Sequence, residues 1–244
     1  MIYSCCIQHI HKKAKGIFEM IINQRVENKQ LTEKLREEFH KVEPATIGHH
    51  LHYGFMDPRI QSMLENVQVV GTAFTVRTSV DDSTLVHKAV SMATEGDVIV
   101  IDRTSDTKHA AVGEMVAYAA NSRKVNAIII DGPCTDIQAI KEINMPLFAT
   151  GLSPITTKLQ GQSGEINTVV QCGGVTVHPG DLILADDNGV LVIDSDLDYN
   201  SVLKKALESE KKEPITKQQL DAGKVLSSLT KADELIDKKL NEDG

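Results

Sequence analysis

The segment "NAIIIDGPCTD", residues 126–136, decides how the fold of this 244-residue chain is interpreted. Four apolar residues, Ala127–Ile130, run directly into the turn-forming residues Asp-Gly-Pro, and the amphipathic segment "IQAIKEI" begins after Asp136. A short, continuous apolar run bounded by turn residues is typical of a strand that is buried on both faces. The segment therefore predicts a buried strand, a loop that carries two carboxylates, and a short helix from about residue 136 to 143.

The regions before and after this segment repeat the same alternation. A second apolar run, "DVIVID" at 97–102, leads through the loop "RTSDTKHA" into the helical segment "AVGEMVAYAANSRKV", and "PLFATG" predicts a third strand. Upstream, "VQVVGTAFTVRTS" predicts one bent strand or two. It is followed by a helix for which Asp82 or Ser83 is the N-cap and Gly96 the stop. Strand-helix-strand alternation with fully apolar strands predicts a parallel sheet covered on both faces.

The pattern changes from Thr168 onward. There, "VVQCGGVTVHPGDLILADDNGVLVID" has apolar runs broken by Gly-Gly, Pro-Gly and Asn-Gly, which predict antiparallel strands joined by tight turns. Upstream of Pro44, "NKQLTEKLREEFHKV" has helical spacing and is followed by a loop-rich connector, and a charged helical tail closes the chain. The predicted fold class is α/β, with helical extensions at both ends.

Composition limits the classes of function. Apolar residues make up 41% of the chain and charged residues 25%, which is the balance of a globular protein with a core. The net charge of -8 argues against nucleic acid as a partner, since that binding needs a basic surface. No apolar run is long enough to span a membrane. The four cysteines are scattered, so we expect reduced thiols and a cytoplasmic location.

The first nineteen residues differ from the rest of the chain. Their lysines follow the apolar part, which is the reverse of a secretory signal. We interpret residues 1–19 as a disordered tail or an over-extended start before Met20. A short organelle-targeting segment is the weaker alternative, because this stretch contains no arginine. Residues 20–244 are interpreted as a single domain.

The loop after residue 130 is the first candidate for a functional site. Ligands of parallel α/β sheets bind beyond the carboxyl ends of the strands. If strands 97–102 and 127–131 are neighbours, the helix start at Gly113 and the pair Thr135-Asp136 face one crevice. The carboxylate of Asp136 is then a hard oxygen ligand for Mg²⁺ or Mn²⁺. The alternative, which spacing alone favours, is that Asp136 is only the N-cap of the helix that follows it.

Three other groups are weaker candidates. The histidine cluster at residues 49–52 has no matching cysteine or glutamate motif, so a connector or a subunit contact is preferred to a transition-metal site. Cys134 is a potential nucleophile for which no base is identified. Residues 186–189 are short for a cation loop, and their context predicts a hairpin turn.

Two blocks of sequence together resemble one known family. "GEMVAYAANSRKVNAIIIDGPCTD" followed by "GGVTVHPGDLILADDNGVLVI" resembles the RraA-like family, over about residues 43–195. That family contains regulators of ribonuclease E activity and the metal-dependent 4-hydroxy-4-methyl-2-oxoglutarate aldolases. The resemblance implies an α/β/β sandwich of the swivelling-domain type, assembled as a homotrimer. Residues 196–244 are then a C-terminal helical extension of this RraA-like core.

The resemblance also implies roles for particular residues. In the aldolases, the start of the helix binds the substrate, and that stretch corresponds to Gly113, Glu114, Met115 and Val116. An Arg-Asp pair follows, in which the arginine binds the substrate and the aspartate holds the metal; it corresponds to Thr135 and Asp136.

This chain departs from the aldolase pattern at two positions. Thr135 stands where the arginine is expected, and Ala139 stands where an acidic residue is expected. Threonine has no charge, so it cannot make a bidentate contact to a carboxylate. Arg103, at the end of the neighbouring strand, and Lys108, on the loop after it, are the candidates to replace the guanidinium. The alternative for both is a solvated loop charge, which is the preferred interpretation of Lys108.

Two functional hypotheses follow from these residues. The first is a lyase dependent on Mg²⁺ or Mn²⁺, an aldolase or oxaloacetate decarboxylase that cleaves small oxo acids through a metal-stabilised pyruvate enolate. The second is a non-catalytic regulatory or binding protein on the same scaffold. Asp136 and the Gly-Glu pair favour the first, whereas Thr135 and Ala139 favour the second.

Overall fold

The computed structural model describes residues 19–242, so all of the predicted N-terminal tail except Glu19 lies outside the described residues. The strands are β1 Met20–Ile22, β2 Gln61–Ser62, β3 Gln68–Thr78, β4 Asp97–Asp102, β5 Ala127–Ile130, β6 Leu147–Ala149, β7 Gly164–Ile166, β8 Val170–Cys172, β9 Val175–Val177, β10 Leu182–Asp186 and β11 Gly189–Ile193. The helices are α1 Glu33–Phe39, α2 Pro44–Ile47, α3 Thr84–Met92, α4 Glu114–Ser122, α5 Ile137–Ile143, α6 Tyr199–Glu210, α7 Glu213–Asp221, α8 Leu226–Thr230 and α9 Ala232–Glu242.

The centre of the fold is a parallel sheet in the order β3-β4-β5-β6. Strands β4 and β5 pair in register from Val98 with Ala127 to Ile101 with Ile130, so the predicted adjacency of these two strands is confirmed. All residues of β4, β5 and β6 are buried, as their continuous apolar runs predicted. Consequently, the loops after these strands emerge together at one edge of the sheet.

Strand β3 is one continuous strand and not two. Its first part pairs antiparallel with β10, its last three residues pair antiparallel with β7, and its other side pairs with β4. Strands β8 and β9 form an antiparallel hairpin, as do β10 and β11, which confirms the antiparallel pattern predicted after Thr168.

Side-chain alternation along the central strands divides the core between two layers. Ile99 and Ile128 face α3, α4 and α5, whereas Val98 and Ile129 face the β8–β9 hairpin on the opposite side. Because successive side chains of a strand point to opposite faces, a fully apolar strand is stable only when both faces are covered. The molecule is therefore an α/β protein in which helices cover one face of the sheet and a β hairpin covers the other.

The two helical extensions differ in how they pack. Helices α1, α2 and α6 share a third core with the β10–β11 hairpin, centred on Phe39 and Tyr199. The predicted connector after Pro44 contains the short helix α2, which begins at that proline because its fixed φ suits the first helical position. Helices α7, α8 and α9 bury none of their residues. None of the helices within residues 19–242 has the length and apolar character needed to cross a membrane.

The two residues predicted as the N-cap of α3 share that role, Ser83 by its position and Asp82 by its carboxylate. Its Oδ1 accepts hydrogen bonds from the backbone N–H of Thr84 (2.9 Å) and from the Thr84 hydroxyl (2.6 Å). Ser83 occupies the N-cap position without a side-chain cap bond. The helix ends at Met92, before Gly96, so the predicted stop was several residues too late.

Candidate functional site

Three loops meet at the carboxyl ends of β4, β5 and β6. Backbone hydrogen bonds continue the sheet beyond the strands: Thr135 N–H donates to Val112 O (3.0 Å), and Cys134 N–H donates to Gly151 O (3.0 Å). Ser153 N–H donates in return to Cys134 O (2.9 Å). This arrangement brings the start of α4 beside the end of the "DGPCTD" loop, as expected from the position rule for parallel sheets.

Asp136 reaches across to the neighbouring helix. Its Oδ2 accepts a hydrogen bond from the backbone N–H of Glu114, the first residue of α4, at 3.1 Å. Asp136 occupies the predicted N-cap position of α5, but its side chain makes no cap bond to that helix. It caps α4 instead, where its negative charge also suits the helix dipole.

The backbone of Asp136 explains this direction. The residue has φ 55° and ψ 36°, the left-handed conformation, which costs on the order of 1–2 kcal/mol for a residue with a side chain. Aspartate tolerates this conformation better than most residues. Such backbone outliers cluster at functional sites, where the surrounding structure holds them in place. The left-handed turn keeps the exposed carboxylate next to α4 instead of over α5.

Gly113 is needed because Asp136 lies so close to it. A Cβ at this position would be 2.5 Å from Asp136 Oδ2 and 2.9 Å from Thr135 Cγ2, although the backbone of Gly113 (φ -140°) would accept a side chain. The glycine is therefore required by space and not by conformation. Because position 113 has no side chain, the Asp136 carboxylate can approach the Glu114 N–H closely enough to accept its hydrogen bond.

The other predicted substrate-binding residues have different surroundings. Glu114 and Met115 are exposed at the first turn of α4, Met115 with 70% of its surface accessible. Val116 is buried in the core beneath the helix, so its side chain has a packing role. Thr135 is half-buried beside Asp136, and its hydroxyl lies 3.3 Å from Asp136 Oδ1. The substrate-binding roles of these residues stay predictions.

A shallow cleft of about 260 Å³ opens beside Asp136, a size that suits a small acid. It is lined by Thr135, Asp136, Ile137, Leu152, Ser153 and Pro154. The last three belong to the loop after β6 and were missed in the sequence analysis. The same carboxyl-end rule, applied to the third strand of the sheet, would have indicated them.

Arg103 is enclosed beneath the site loop. Its guanidinium has no accessible surface and donates to Ser79 O (3.3 Å), Asp106 Oδ2 (2.7 Å) and His109 O (3.3 Å), and also to Val80 O. Burial lowers the pKa of Arg103, an effect that Asp106 opposes. The structure thus gives Arg103 the role of holding two loops together, and its contact with a substrate stays a prediction.

The backbone of Lys108 contacts Ser153, one of the residues that line the cleft. Its carbonyl oxygen accepts a hydrogen bond from the Ser153 hydroxyl at 2.6 Å, and its side chain is exposed. This geometry agrees with the simpler interpretation of a solvated charge.

Cys134 has the properties of a structural thiol. It is fully buried, its Sγ lies 3.6 Å from Gly151 O, and burial raises the pKa of Cys134 to about 11. A nucleophilic cysteine needs a lowered pKa and access, so the alternative of a Cys134 nucleophile was wrong.

The remaining candidates have structural partners. His50 contacts the hydroxyl of Ser209 on α6 at 2.9 Å, in agreement with the connector interpretation of residues 49–52. The carboxylate of Asp187 accepts backbone N–H bonds from Asn66 and Val67, and Asp186 accepts from Asn188, so these acids organise the β10–β11 turn.

Within residues 19–242, no group of three or more His, Cys, Asp or Glu side chains lies close enough together to hold a metal ion. A cation at Asp136 would therefore depend on one carboxylate and on water. That donor set suits Mg²⁺, which keeps several waters and binds through one or two carboxylates. Asp136 fits this requirement, because it is exposed and because the Glu114 N–H engages only one of its two oxygens.

Comparison with known proteins identifies the family of this chain. A family model described as "RraA-like: Aldolase/RraA" matches residues 44–192. The chain is 40% identical over 151 residues to a Halalkalibacterium halodurans protein named "Putative 4-hydroxy-4-methyl-2-oxoglutarate aldolase", a match that covers 62% of this chain and 71% of that protein.

Two solved structures share the fold at low sequence identity. An uncharacterized protein from Pseudomonas syringae pv. tomato superposes with a TM-score of 0.72 at 22% identity, over 85% of this chain and 97% of the other. RraAS2 of Streptomyces coelicolor, titled an unusual member of the RNase ES inhibitor RraA protein family, superposes with a TM-score of 0.68 at 21% identity, over 77% and 98%. At these identities the likeness shows the fold alone.

Proposed function

Because this chain belongs to the RraA-like family, we propose that it is a divalent-metal-dependent lyase that cleaves or decarboxylates small oxo acids. The observation that carries the proposal is the position of Asp136. This exposed carboxylate, in a left-handed turn at the mouth of a small cleft, is fixed through Oδ2 by Glu114 N–H, and its Oδ1, which the neighbouring Thr135 hydroxyl approaches at 3.3 Å, is the oxygen that it would offer to a cation. The name of the Halalkalibacterium relative supports the same reaction class.

Two substrates fit one site, because both reactions break the bond between C3 and C4 of a 2-oxo acid. Oxaloacetate loses C4 as carbon dioxide. In 4-hydroxy-4-methyl-2-oxoglutarate, the 4-hydroxyl loses its proton and C4 becomes the ketone of one pyruvate. In both reactions the electron pair of the broken bond is left on the remaining three-carbon fragment, which takes a proton at C3 to become pyruvate. A bound Mg²⁺ or Mn²⁺ supplies Lewis-acid polarisation of the 2-oxo group when present.

Each residue at the site would then have a separate role in binding. Asp136 would hold the cation through Oδ1, while its Oδ2 stays bound to Glu114 N–H. The Thr135 hydroxyl, which lies 3.3 Å from Asp136 Oδ1, would turn away from that oxygen to donate a hydrogen bond to a substrate oxygen. Ile137 and Leu152 provide an apolar wall. The cleft is open to solvent, so water can supply the proton that C3 requires.

A second candidate function is favoured by Thr135 and Ala139. Within the described residues, the six that line the cleft include no cation, so a substrate carboxylate would lack a charged partner apart from the metal. A regulatory or binding protein on this scaffold would not need such a partner. This alternative keeps the fold and assigns Asp136 only the cap of α4.

A pyruvate-release assay tests the proposal. Purified protein is incubated with oxaloacetate, and separately with 4-hydroxy-4-methyl-2-oxoglutarate, in the presence of Mg²⁺, Mn²⁺ or EDTA. Reactions with metal but without protein correct for spontaneous decarboxylation. The lyase assignment predicts pyruvate release above this background with either metal and none with EDTA. Rates equal to background for both substrates would support the regulatory alternative.

A further inference from the structure

We propose that Asp82, which is not among the residues that line the cleft, positions one wall of the site by holding the segment that forms it. This segment, here called the strap, is residues 150–163 between β6 and β7. The inference rests on the proposed function for the identity of the ligand. Its structural part concerns the strap alone and can be tested separately.

The near end of the strap forms part of the cleft. Leu152, Ser153 and Pro154 line it opposite Thr135 and Ile137. The Ser153 N–H donates to Cys134 O at 2.9 Å, so this end is tied to the loop that carries Asp136. A shift of the strap would therefore change the shape of the cleft directly.

Packing does little to hold the strap in place. None of its residues is buried, and its large apolar side chains, Leu152, Ile155 and Leu159, are all exposed. A segment with few buried apolar contacts keeps its position through hydrogen bonds, and it opens easily when these are lost. The strap makes such bonds in the middle to Ala110, whose N–H donates to Ile155 O at 2.8 Å.

The far end of the strap is bound by Asp82. Its Oδ1 accepts from Gln160 N–H (3.1 Å), and its Oδ2 accepts from Gln162 N–H (2.8 Å). The same carboxylate also accepts both donors of Thr84, and the Thr84 hydroxyl in turn accepts from Gly161 N–H (3.0 Å). Asp82 is only 1% exposed, so one buried carboxylate joins the start of α3 directly to two residues of the strap and, through Thr84, to the residue between them.

Charge strengthens this attachment. Hydrogen bonds to an ionised group are stronger than those between neutral groups, and a buried carboxylate depends on them for solvation. Asp82 gains that solvation from donors on the strap and on α3 together. The strap can therefore move away from α3 only if the buried Asp82 carboxylate loses two of its four hydrogen-bond donors. We call this attachment of the strap by Asp82 the latch.

The substitution Asp82→Asn tests the latch. Asparagine keeps the shape of the aspartate side chain but has only one acceptor oxygen. Its amide nitrogen, a hydrogen-bond donor, must then face another donor, a backbone N–H of the strap or of Thr84. The matched control is Asp81→Asn, since within residues 19–242 the Asp81 carboxylate accepts a hydrogen bond from the side chain of Gln160 (2.8 Å) and from no backbone N–H of the strap. Thr84→Val is a milder second variant, because it removes one hydroxyl and keeps the carboxylate.

Three measurements are made on the full chain. Amide hydrogen exchange follows the strap, calorimetry follows the binding of oxalate to the Mn²⁺-loaded protein, which needs no turnover, and steady-state kinetics with oxaloacetate give KM and kcat. In Asp82→Asn we expect exchange at residues 160–162 to rise about tenfold or more, as for the loss of a hydrogen bond to a charged group. Oxalate affinity should fall, and the KM for oxaloacetate should rise more than kcat falls. Thr84→Val should change strap exchange, oxalate affinity and KM in the same direction but by less, and Asp81→Asn should change none of them.

Four results would overturn the inference. Two concern Asp82→Asn: unchanged hydrogen exchange of the strap, or faster exchange with unchanged oxalate affinity. The other two are equal effects in Asp81→Asn and no oxalate binding by the wild type. Wild-type protein that binds oxalate but releases no pyruvate would contradict the lyase proposal instead. The role of Asp82 would then still be decided by exchange and oxalate affinity.

Discussion

Asp136 Oδ2 accepts a hydrogen bond from the backbone N–H of Glu114 at 3.1 Å, although the two residues are 22 positions apart in the sequence. One carboxylate thus satisfies the first N–H of α4 and still has a second oxygen directed to other partners. The same residue can serve both the fold and a metal, so the cap and the ligand are not exclusive alternatives. Variants that separate these two roles are the most informative.

Restoring a guanidinium at Thr135 should improve the proposed reaction. We expect Thr135→Arg to raise pyruvate release, because an arginine beside Asp136 would bind a substrate carboxylate through two charged hydrogen bonds. Such contacts contribute roughly 1.5–3 kcal/mol, which corresponds to about ten- to a hundredfold in rate or affinity. Steady-state kinetics with oxaloacetate and Mn²⁺ measure this. Thr135→Gln, similar in length but uncharged, is the control, and an equal gain in that variant would contradict the charge argument.

Gly113 should tolerate no side chain without loss of the site. In Gly113→Ala the new Cβ would lie 2.5 Å from Asp136 Oδ2, so the carboxylate must move away from Glu114 N–H. We expect Mn²⁺ affinity and pyruvate release to fall, together with a loss of about 1 kcal/mol of stability from the broken cap. Gly48→Ala, at the end of α2, is the control for a glycine substitution elsewhere; there the new Cβ would lie 3.1 Å from Ala45 O. Full activity in Gly113→Ala would show that this close approach has no function.

Cys134 should be inert in the folded protein. Its pKa of about 11 and its burial leave almost no accessible thiolate at neutral pH. We expect iodoacetamide at pH 7.5 to leave Cys134 unmodified until the chain is unfolded in denaturant, as mapped by mass spectrometry of the peptides. Its labelling should remain slow as the pH is raised to 9, since that is still below the pKa. Rapid labelling of Cys134 in the native protein would mean that the loop opens.

The assembly should be larger than one chain. Met115 and Tyr118 on α4 are large apolar residues, each more than half exposed. Monomers rarely leave large apolar patches uncovered, and the family resemblance implies a homotrimer, so we expect these two side chains to lie in the trimer interface. Light scattering should return about three times the chain mass of 26.7 kDa, and Met115→Asp should lower it. A constant mass near that of one chain across a dilution series would contradict this expectation.

Much of the fold could be predicted because its signals are local. The apolar runs that became β4 and β5 indicate burial on both faces, and the helices between them require the parallel arrangement. Their adjacency then placed Gly113 next to Asp136 without further information. The turn residues after Thr168 likewise predicted the antiparallel hairpins.

The details of the site could not be predicted, because they depend on contacts between residues distant in sequence. Spacing made Asp136 the cap of the nearest helix, whereas its left-handed backbone turns it toward α4. Arg103 looked like an available cation, but its aliphatic carbons lie next to Gly132 and its buried guanidinium donates to loop carbonyls. The strap has neither helical nor strand periodicity, so only its position after the third parallel strand, and no local pattern, indicates that it forms a wall of the cleft.

The central claim, that Asp136 is a metal ligand and not only a cap, is tested most directly by Asp136→Asn. The asparagine oxygen can still accept the Glu114 N–H, so the cap and the melting temperature should be nearly preserved, whereas Asp136→Ala should lose about 1 kcal/mol. Mn²⁺ binding by calorimetry and Mn²⁺-dependent pyruvate release are measured for the wild type and both variants. The account predicts that both variants lose metal binding and turnover, although only the alanine variant loses stability. Wild-type metal binding and turnover in Asp136→Asn would contradict it, and Asp136 would then be a structural cap.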